Sequence, residues 1–522
     1  MNYLQHAMRQ QLAVFLSIAF LCIISEVSAQ QIDFVREFNS TGDGAPKPLF
    51  EFNGSLFFSA NTDSGSAIYI MRGNDISCLT CGMHKNASLS GYGVLNGRCF
   101  MGILLNNTDA QLYETDGTVA GTQLFKTIYA GHQAVKGPFL ALGNKLYFNG
   151  TDAAHGSELW ATDGTAAGTD LFWEFKAGAA SGNPRLAINW NNKLWMVAEE
   201  ATDKLYSVDG TLAGTNEVFA FTGFGVQMAY PVVMGSQLFF IDQSDLWVTD
   251  GTTPNTKQLN VSPLYAKPEP LVPYKGRIFF NGVTPAAGAE LCVSDGTPAG
   301  TKIFFDSDAN SAKSGTTPVV FNNLLYFTAN HANKGFEPWT TDSTVAGTLL
   351  FKDIYIGNGN NSSPSSYYLH QNQLYFAAIE PTSNSNQLFV SNGTPQGTQP
   401  IFYSQATAGI TGAMDFFSYQ GQLFFSGLYD AKGRELYKYG WPTGIVSTTE
   451  TAALQLFPQP AHQQVQVAAL IPDQPLELWS TDGKKLQTWI PDGNVISISV
   501  ETLSPGLYFL QQKNSVVKLM VY

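Results

Sequence analysis

The sequence predicts an all-β fold: a single large β-propeller of eight or nine four-stranded blades, closed by the N-terminal strand and followed by a small β-sandwich. The first observation is a phrase, clearest at residues 158–169, that recurs about every 45 residues along most of the chain. Self-similarity at a fixed period is typical of a repeat architecture. The second is the composition, since 49 glycines, 44% hydrophobic residues and only 13% charged residues fit an all-β chain with many tight turns.

One repeat, residues 138–176, has the length and pattern of a four-stranded blade. An apolar run at 139–142 is followed by the hairpin signal Gly143-Asn144 and by a second strand at 145–150. A third strand at 158–162 ends at Asp163-Gly164, and a fourth occupies 170–175. Apolar side chains fall on both faces of these strands, so each sheet must be covered on both sides, as it is between neighbouring propeller blades.

The hairpin recurs nine times, and the two ends of the array complement each other. Its second strands begin near Leu56, Cys99, Leu146, Leu194, Leu238, Ile278, Leu325, Leu374 and Leu423. The last copy stops after residue 439 without a fourth strand, whereas residues 32–38 precede the first hairpin and match a fourth strand in pattern. We therefore expect the N-terminal strand to complete the last blade, which removes both exposed sheet edges.

The predicted propeller spans residues 30–445 in about nine 45-residue quasi-repeats. The first copy lacks the signature and carries Arg72-Gly73 where Asp-Gly is expected. Because propellers usually have roughly four to eight blades, the sequence leaves eight or nine blades open.

The seven repeats between the first and the last each turn the chain at one polar position after the third strand. These positions are Asp116, Asp163, Asp209, Asp250, Asp295, Asp342 and Asn392. We interpret them as a structural repeat turn, because Asp-Gly favours a hairpin and the carboxylate can accept bonds from the backbone N–H groups just beyond it. Neighbouring threonine hydroxyls can add local bonds. One carboxylate per blade falls short of the roughly six to eight oxygens that Ca²⁺ prefers, so we expect no metal and no cofactor.

In four repeats a glutamate lies two residues before the third-strand position that is usually aromatic. The four are Glu158, Glu290, Glu337 and Glu435. A ring of carboxylates around a channel mouth is one interpretation, but we favour side chains that are solvated or hydrogen-bonded between blades. We call the usually aromatic third-strand position, held by Trp160 in the clearest repeat, the aromatic slot. We assign it to packing between blades, with a glycan-stacking platform as the alternative.

Residues 1–29 are predicted to be a secretory signal peptide. An apolar run at 12–24 is followed by small residues before the junction of Ala29 and Gln30, where signal-peptidase cleavage is expected. The run is too short for a comfortable membrane span, and the sequence offers no other transmembrane candidate.

Four cysteines remain after this cleavage. Cys78 and Cys81 form a lone CxxC pair, and in an exported protein a local disulfide, or a bridge to Cys99, is favoured over a metal site. Cys292 occupies the aromatic slot of its repeat, which predicts a small buried hydrophobic residue.

The charge balance and the motif content limit the function classes. A net charge of −13 and a pI near 5.0, without a Lys/Arg cluster, argue against a nucleic-acid partner. No HExxH, GxSxG or P-loop motif is present, so the sequence assigns no catalytic residues and leaves enzyme activity uncertain.

The phrase Glu158 to Thr169, repeated over residues 105–400, resembles the ELWxTDGTxxGT repeats of bacterial surface and secreted proteins. The resemblance implies a repeat scaffold without an assigned catalytic activity. The turn is also similar to the Asp-box hairpin of sialidases, which is a structural element. We therefore expect a secreted or surface propeller that binds a glycan or a protein. The alternative is a secreted polysaccharide hydrolase with carboxylates gathered at the propeller centre.

Residues 448–522 depart from the period and predict a separate small β-sandwich. Three ordered motifs at 456–461, 478–485 and 503–509, with a closing strand around residue 518, resemble the type A C-terminal sorting domain of the type IX secretion system. The residues that carry the resemblance are Pro458, Pro460, Ala461, Asp482, Gly483, Pro505, Gly506, Tyr508 and Lys518. It implies passage through the periplasm, the type IX machinery at the outer membrane as a partner, and a secreted or cell-surface location in a Bacteroidota-like source.

Overall fold

The computed structural model of the protein describes residues 31–260, 262–306, 318–331, 333–357, 359–403, 411–428, 433–440, 455–457, 464–468, 474–480, 484–493, 495–504, 506–512 and 515–521. These residues form 44 β-strands and one short 3-10 helix at Thr253–Asn255. None of the helical structure in the described ranges is long and apolar enough to cross a membrane. The chain divides into two compact units, Met1–Pro442 and Thr443–Tyr522.

The first unit is a series of antiparallel sheets, numbered here in chain order, and each sheet corresponds to one repeat. Sheet 1 contains Lys47–Phe52, Ser55–Thr62, Gly65–Arg72 and Asp75–Cys78. Sheet 2 contains Ala87–Leu95, Arg98–Leu105, Asp109–Thr115 and Gln123–Lys126. Sheet 3 contains Val135–Leu142, Lys145–Asp152, Gly156–Thr162 and Asp170–Trp173. Sheet 4 contains Arg185–Trp190, Lys193–Glu199, Asp203–Val208 and Thr215–Ala220.

The next four sheets repeat this order of strands, with one irregularity. Sheet 5 contains Ala229–Met234, Gln237–Asp242, Asp245–Thr249 and Lys257–Gln258. Sheet 6 has a first strand in two pieces, Tyr265–Ala266 and Val272–Tyr274, followed by Arg277–Thr284, Gly288–Ser294 and Lys302–Phe305. Sheet 7 contains Val319–Phe321, Leu324–His331, Gly335–Thr341 and Leu349–Leu350. Sheet 8 contains Ser365–His370, Gln373–Glu380, Ser385–Ser391 and Thr398–Ile401.

Sheet 9 brings together the two ends of the first unit. Its first three strands are Thr411–Tyr419, Gln422–Leu428 and Glu435–Gly440, and its fourth is Gln31–Arg36. The N-terminal strand runs antiparallel to Glu435–Gly440, with Gln31 opposite Gly440 and Phe34 opposite Tyr437. The prediction of an all-β chain with four short antiparallel strands in each repeat is confirmed.

Each sheet packs on its neighbour through an apolar cluster of its own. Sheets 3 and 4, for example, share a core that includes Tyr147, Leu159 and Met196. Equivalent clusters join each of the remaining pairs of consecutive sheets, from sheets 1 and 2 to sheets 8 and 9. A further cluster joins sheet 9 to sheet 1 and contains Phe424 and Phe58. Because burying one large apolar side chain contributes about 1.5–3 kcal/mol, these clusters are the main cohesion of the unit.

The second unit contains two antiparallel sheets in its described residues. One is formed by Gln455–Phe457, Gln464–Ala468 and Val495–Ser499, and the other by Lys485–Trp489, Leu476–Ser480, Gly506–Gln512 and Ser515–Val521. Both sheets contribute to one buried core, with Val465 and Ile498 from the first and Leu478 and Leu510 from the second.

Candidate functional site

The repeated Asp turn is a closed set of local hydrogen bonds. In sheet 3, Oδ1 of Asp163 accepts from the backbone N–H of Thr165 at 2.8 Å and from its hydroxyl at 2.7 Å. The Thr165 hydroxyl oxygen accepts in turn from the N–H of Gly168 at 2.9 Å. The hydroxyls of Thr162 and Thr169 lie 2.6 Å apart and close the base of the turn. A Cβ on Gly168 would collide with the Asp163 carboxylate, which explains the second glycine of the repeated phrase.

The same bonds recur at the other predicted turn positions. The side-chain oxygen accepts from the threonine two residues later at Asp116, Asp209, Asp250, Asp295, Asp342 and Asn392. The Thr165 hydroxyl bond holds the pKa of Asp163 below its ordinary value, and the matching threonines do the same at the other five Asp positions. At Asn392 the amide oxygen makes the same two bonds, at 3.0 and 2.8 Å, so the turn uses a single acceptor oxygen and does not require a charge.

The first copy of the turn, Arg72-Gly73, which lacks the repeated Asp, lies where sheet 9 meets sheet 1. Gly73 donates its N–H to the hydroxyl of Tyr419 at 3.1 Å. That hydroxyl also lies 2.8 Å from the carbonyl oxygen of Gly54 and 3.0 Å from that of Met71. One tyrosine of the last repeat therefore holds the turn of the first.

Three of the four predicted glutamates, Glu158, Glu337 and Glu435, are buried hydrogen-bond acceptors for the chain segment that links one sheet to the next, and we call these segments links. Glu290 in sheet 6 is also buried. Glu158 in sheet 3 is wholly buried. Its carboxylate accepts from the N–H groups of Phe175 at 2.8 Å, Lys176 at 3.2 Å and Gly182 at 2.7 Å. The fourth strand ends at Trp173, two residues earlier than the sequence predicts, because the next backbone donors turn away to this carboxylate.

Glu337 and Glu435 make the corresponding bonds in sheets 7 and 9. Glu337 accepts from the N–H groups of Ile354, Tyr355 and Ser362 at 2.9, 3.3 and 3.0 Å. Glu435 accepts from the N–H groups of Phe38, Asn39 and Gly44 at 2.8, 3.4 and 3.1 Å. Segment 38–45, which follows the N-terminal strand, is thus held like an internal link.

The backbone of segment 38–45 repeats the internal links bond by bond. Gly182, Ser362 and Gly44 each offer their carbonyl to the second strand of the next sheet, at Glu199, Ile379 and Asn61. The following residues, Asn183, Ser363 and Ala45, have φ of 44°, 46° and 41° and donate to a carbonyl in the third strand of the preceding sheet or, for Ala45, to that of Arg434 directly before it. Three links of unrelated sequence therefore share one conformation, and one of them joins the two ends of the first unit.

Burial raises the pKa of Glu158 and Glu337 and raises that of Glu435 to about 7, while the backbone N–H bonds act in the opposite direction. Carboxyl groups with raised pKa values are common catalytic acids. These three are sealed from solvent and bonded to backbone amides, so they cannot reach a substrate. Their arrangement fits a structural role in fixing the links.

The cysteines fall into one pair and two isolated thiols. Cys78 and Cys81 form a disulfide, and Cys99 and Cys292 are free and buried. Burial raises the pKa of both free thiols to about 12, so neither is a thiolate at neutral pH. Sheet 1 has Ala67 at the position that holds the glutamate in four other sheets, and its disulfide lies at the start of the link to sheet 2.

Neighbouring sheets approach each other most closely along their first strands, since the first strands of several adjacent sheets contact one another. Together the first strands form one face of the unit. We call this the first-strand face. Large apolar side chains are exposed there: Tyr92 at 39%, Tyr230 at 41% and Met414 at 39%. Tyr92 stacks one face on Phe50, with ring centroids 4.0 Å apart, and leaves the other face open.

Bulges interrupt the first strands and were not predicted. In sheet 5 the pairing jumps from Ala229 to Val232, which places Tyr230 in the left-handed region with φ of 51°. Ser366 and Asp415 hold the same position in sheets 8 and 9, with φ of 57° and 51°. Bulges redirect side chains and are common beside binding sites. The three positions share no residue type, so sequence periodicity gives no signal for them.

The predicted sorting residues fall partly within the described chain. Gly506, Tyr508 and Lys518 lie in the last two strands, and the Tyr508 hydroxyl donates to the carbonyl of Ser504 at 2.8 Å. The cleavage and sorting residues outside the described ranges are Ala29, Gln30, Pro458, Pro460, Ala461, Asp482, Gly483 and Pro505. Across the described residues, no three His, Cys, Asp or Glu side chains form a group that would hold a metal ion.

Comparison with known proteins gives partial structural likenesses. No family model matches the chain, and no curated protein matches it. A puromycin hydrolase structure is 12% identical over 65% of this chain with a TM-score of 0.36, and the chain spans 59% of that protein's length.

Two further structures come from surface or extracellular proteins. The extracellular domain of a hybrid two-component system from B. thetaiotaomicron is 11% identical over 95% of this chain and 76% of its own, with a TM-score of 0.31. PorZ, a surface component of the type IX secretion system of Porphyromonas gingivalis, is 11% identical over 94% of this chain and 100% of its own, with a TM-score of 0.21. The chain's own geometry is therefore the basis for assigning a function.

Proposed function

We propose that the chain is a secreted or cell-surface β-propeller of nine blades that is exported through the type IX secretion system and binds a glycan at its first-strand face. The observation that carries the proposal is the cyclic order of packing. Every sheet shares an apolar cluster with the next, and sheet 9 shares one with sheet 1. A ring is the arrangement in which nine sheets have nine shared interfaces and no end.

The N-terminal segment supports closure of this ring. It supplies the fourth strand of sheet 9, and its link to sheet 1 uses the bonds of the internal links. The strand from the opposite chain end covers the edge of Glu435–Gly440, which protects that edge from association with another chain.

Glycan binding is favoured over glycoside hydrolysis because of where the carboxylates lie. The glutamates with raised pKa values are committed to backbone donors of the links and are not gathered at an open face. The first-strand face instead presents exposed tyrosines, Tyr92 and Tyr230. An aromatic ring with a polar tip suits a sugar, whose apolar C–H face stacks on the ring while its hydroxyls bond to the edge.

A glycan array on the mature protein tests the binding proposal. We expect selective binding that falls at least tenfold in Tyr230→Ala and in Tyr92→Ala. Phe224→Ala is the matched control, because Phe224 is an exposed aromatic residue on a link rather than on a first strand. If the protein captures a protein partner and gives no glycan signal, the ligand is a protein and not a glycan. Unchanged glycan binding in both tyrosine variants would show that the site does not lie at these tyrosines.

Export through the type IX system is a separate part of the proposal and rests on the sorting-domain resemblance. Removal of residues 448–522 should leave the passenger in the periplasm of a host that carries this system. Fractionation of the host with an antibody to the first unit measures the outcome. Normal surface delivery of the truncated chain would contradict the assignment.

A further inference from the structure

A serine and a histidine from neighbouring first strands are in direct contact at the first-strand face. His370, the last residue of the first strand of sheet 8, has its Nδ1 2.7 Å from Oγ of Ser418 in sheet 9. Tyr368 donates its hydroxyl to the same Oγ at 3.3 Å, and the Ser418 N–H donates to the Tyr368 oxygen at 2.9 Å. Two side chains of sheet 8, His370 and Tyr368, therefore converge on one serine oxygen of sheet 9.

The repeat shows that the scaffold does not require a histidine at this position. The position is the last first-strand residue before the hairpin turn, and its side chain is buried in most of the sheets. Its equivalents in the other eight sheets are Phe52, Leu95, Leu142, Trp190, Met234, Tyr274, Phe321 and Tyr419. His370 is thus the one imidazole among nine positions otherwise held by aromatic or aliphatic side chains.

The position of Ser418 is accessible, whereas that of His370 is not. The residues in the same position as Ser418 in other sheets are exposed at Val94, Ala141, Asn189 and Pro273. Ser418 itself is partly exposed, and His370 is buried at 8%. A nucleophile that solvent can reach beside a shielded base is the arrangement that nucleophilic catalysis needs.

The environment of His370 favours the neutral ring. Burial lowers the pKa of His370, and a hydrogen bond with the Gly421 backbone acts in the opposite direction. A neutral imidazole with its proton on Nε2 has a lone pair on Nδ1 that accepts the proton of the Ser418 hydroxyl.

We propose that Ser418 is a nucleophilic serine, with His370 as its general base, that hydrolyses carboxylic esters of small acyl groups at the first-strand face. Ser418 Oγ bonds to the acyl carbon while its proton passes to His370 Nδ1. The ester C–O bond breaks, and the departing alkoxide takes the proton from His370 and leaves as the alcohol. Water then adds to the acyl carbon and gives a proton to His370. The bond to Ser418 breaks, and Oγ recovers its proton as the carboxylic acid leaves.

Tyr368 supplies the remaining element of this chemistry. Its hydroxyl donates to Ser418 Oγ, so it lies within reach of an acyl group attached there and could turn its proton toward the carbonyl oxygen of that group. Donors placed where charge develops are a large source of rate enhancement in acyl transfer. The site resides in the first unit and does not depend on the glycan proposal.

A fluorophosphonate probe, which reacts with activated serines, tests the proposal on the purified mature chain. We expect covalent labelling at neutral pH, mapped to the peptide that contains Ser418, and turnover of p-nitrophenyl acetate. Ser418→Ala should abolish both signals, and this variant is expected to fold because Ala141 occupies the same position in sheet 3.

His370→Phe is the matched test of the base, because Phe52 and Phe321 occupy its position in other sheets. Loss of a general base should slow labelling by about a hundredfold or more while the melting temperature stays near that of the parent. His370→Gln provides a second variant if the phenylalanine does not fit beside Ser418. An unlabelled parent protein would show that the contact only links two sheets, and full labelling of the His370 variants would overturn the role of the histidine.

Discussion

The link from sheet 3 to sheet 4 and the segment from sheet 9 to sheet 1 have the same structure but a different place in the chain. In the first, Glu158 holds residues that lie 17–24 positions after it in the sequence. In the second, Glu435 holds residues that are 391–397 positions away, at the opposite end of the unit. The two links make the same hydrogen bonds although the glutamate and its donors are separated by very different lengths of chain. The links are therefore specified by local packing and a buried acceptor, and not by chain continuity.

The difference also shows where the unit is vulnerable. An internal link is tethered to folded sheets at both ends, so losing its hydrogen bonds frees only a loop. The N-terminal link is tethered at one end, so the same loss frees a whole strand with Ile32 and Phe34, which pack into the cluster between sheets 8 and 9. Four predictions follow the comparison from its strongest consequence to its weakest.

Deletion of residues 31–37 should be the most damaging change. It removes the fourth strand of sheet 9, exposes the edge of Glu435–Gly440 and uncovers the core around Tyr437. With two to three apolar side chains lost at about 1.5–3 kcal/mol each, the unfolding free energy should fall by roughly 5 kcal/mol. Urea denaturation of the mature chain measures it. A midpoint equal to that of the full chain would mean that the N-terminal strand does not belong to the last sheet in solution.

Glu435→Ala and Glu158→Ala should cost similar free energy but release different lengths of chain. Each leaves three buried N–H donors without their acceptor, a loss of about 2–4 kcal/mol after partial relaxation. Hydrogen exchange should accelerate over residues 31–45 in Glu435→Ala and only over 175–183 in Glu158→Ala. Glu217→Ala is the surface control, since its side chain is 46% exposed and pairs with Lys204. Equal spread of exchange in both variants would contradict the distinction between terminal and internal links.

The sequence predicts the parts of this comparison that depend on local pattern. Hairpin turns, strand alternation and the orphan N-terminal strand all leave periodic signals, which is why four strands per repeat were predicted correctly. The sequence also locates Glu158 and Glu435, but not their partners, because backbone donors carry no sequence signature. The bulge at Tyr230 and the contact of His370 with Ser418 depend on neighbouring sheets coming together, which one repeat read alone does not reveal.

Stability should depend on pH through the same glutamates. The pKa of Glu435 is raised from its ordinary 4.5 to about 7 by burial, so its stabilising contribution is fully present below pH 4.5 and is lost as pH rises through 7. Linkage sets the upper limit of this loss at about 3 kcal/mol. Glu435→Gln should flatten the curve over that interval, and the amide is compatible with the site because Gln111 accepts from the Ile128 N–H in sheet 2. A parent and variant with parallel stability profiles from pH 4.5 to 7.5 would remove Glu435 as the titrating group.

Cutting an internal link should have the smallest effect and gives the most direct test of the comparison. A protease site introduced at the exposed residues 178–180 converts the link from sheet 3 to sheet 4 into a copy of the terminal one, with new chain ends beside a retained Glu158. Because Glu158 and the shared core of sheets 3 and 4 stay intact, the two fragments should elute together and lose only a few degrees of melting temperature. The uncut protein carrying the same insertion is the control. Separation of the fragments without denaturant would show that covalent continuity holds the internal links, and that segment 38–45 is held by something the other links lack.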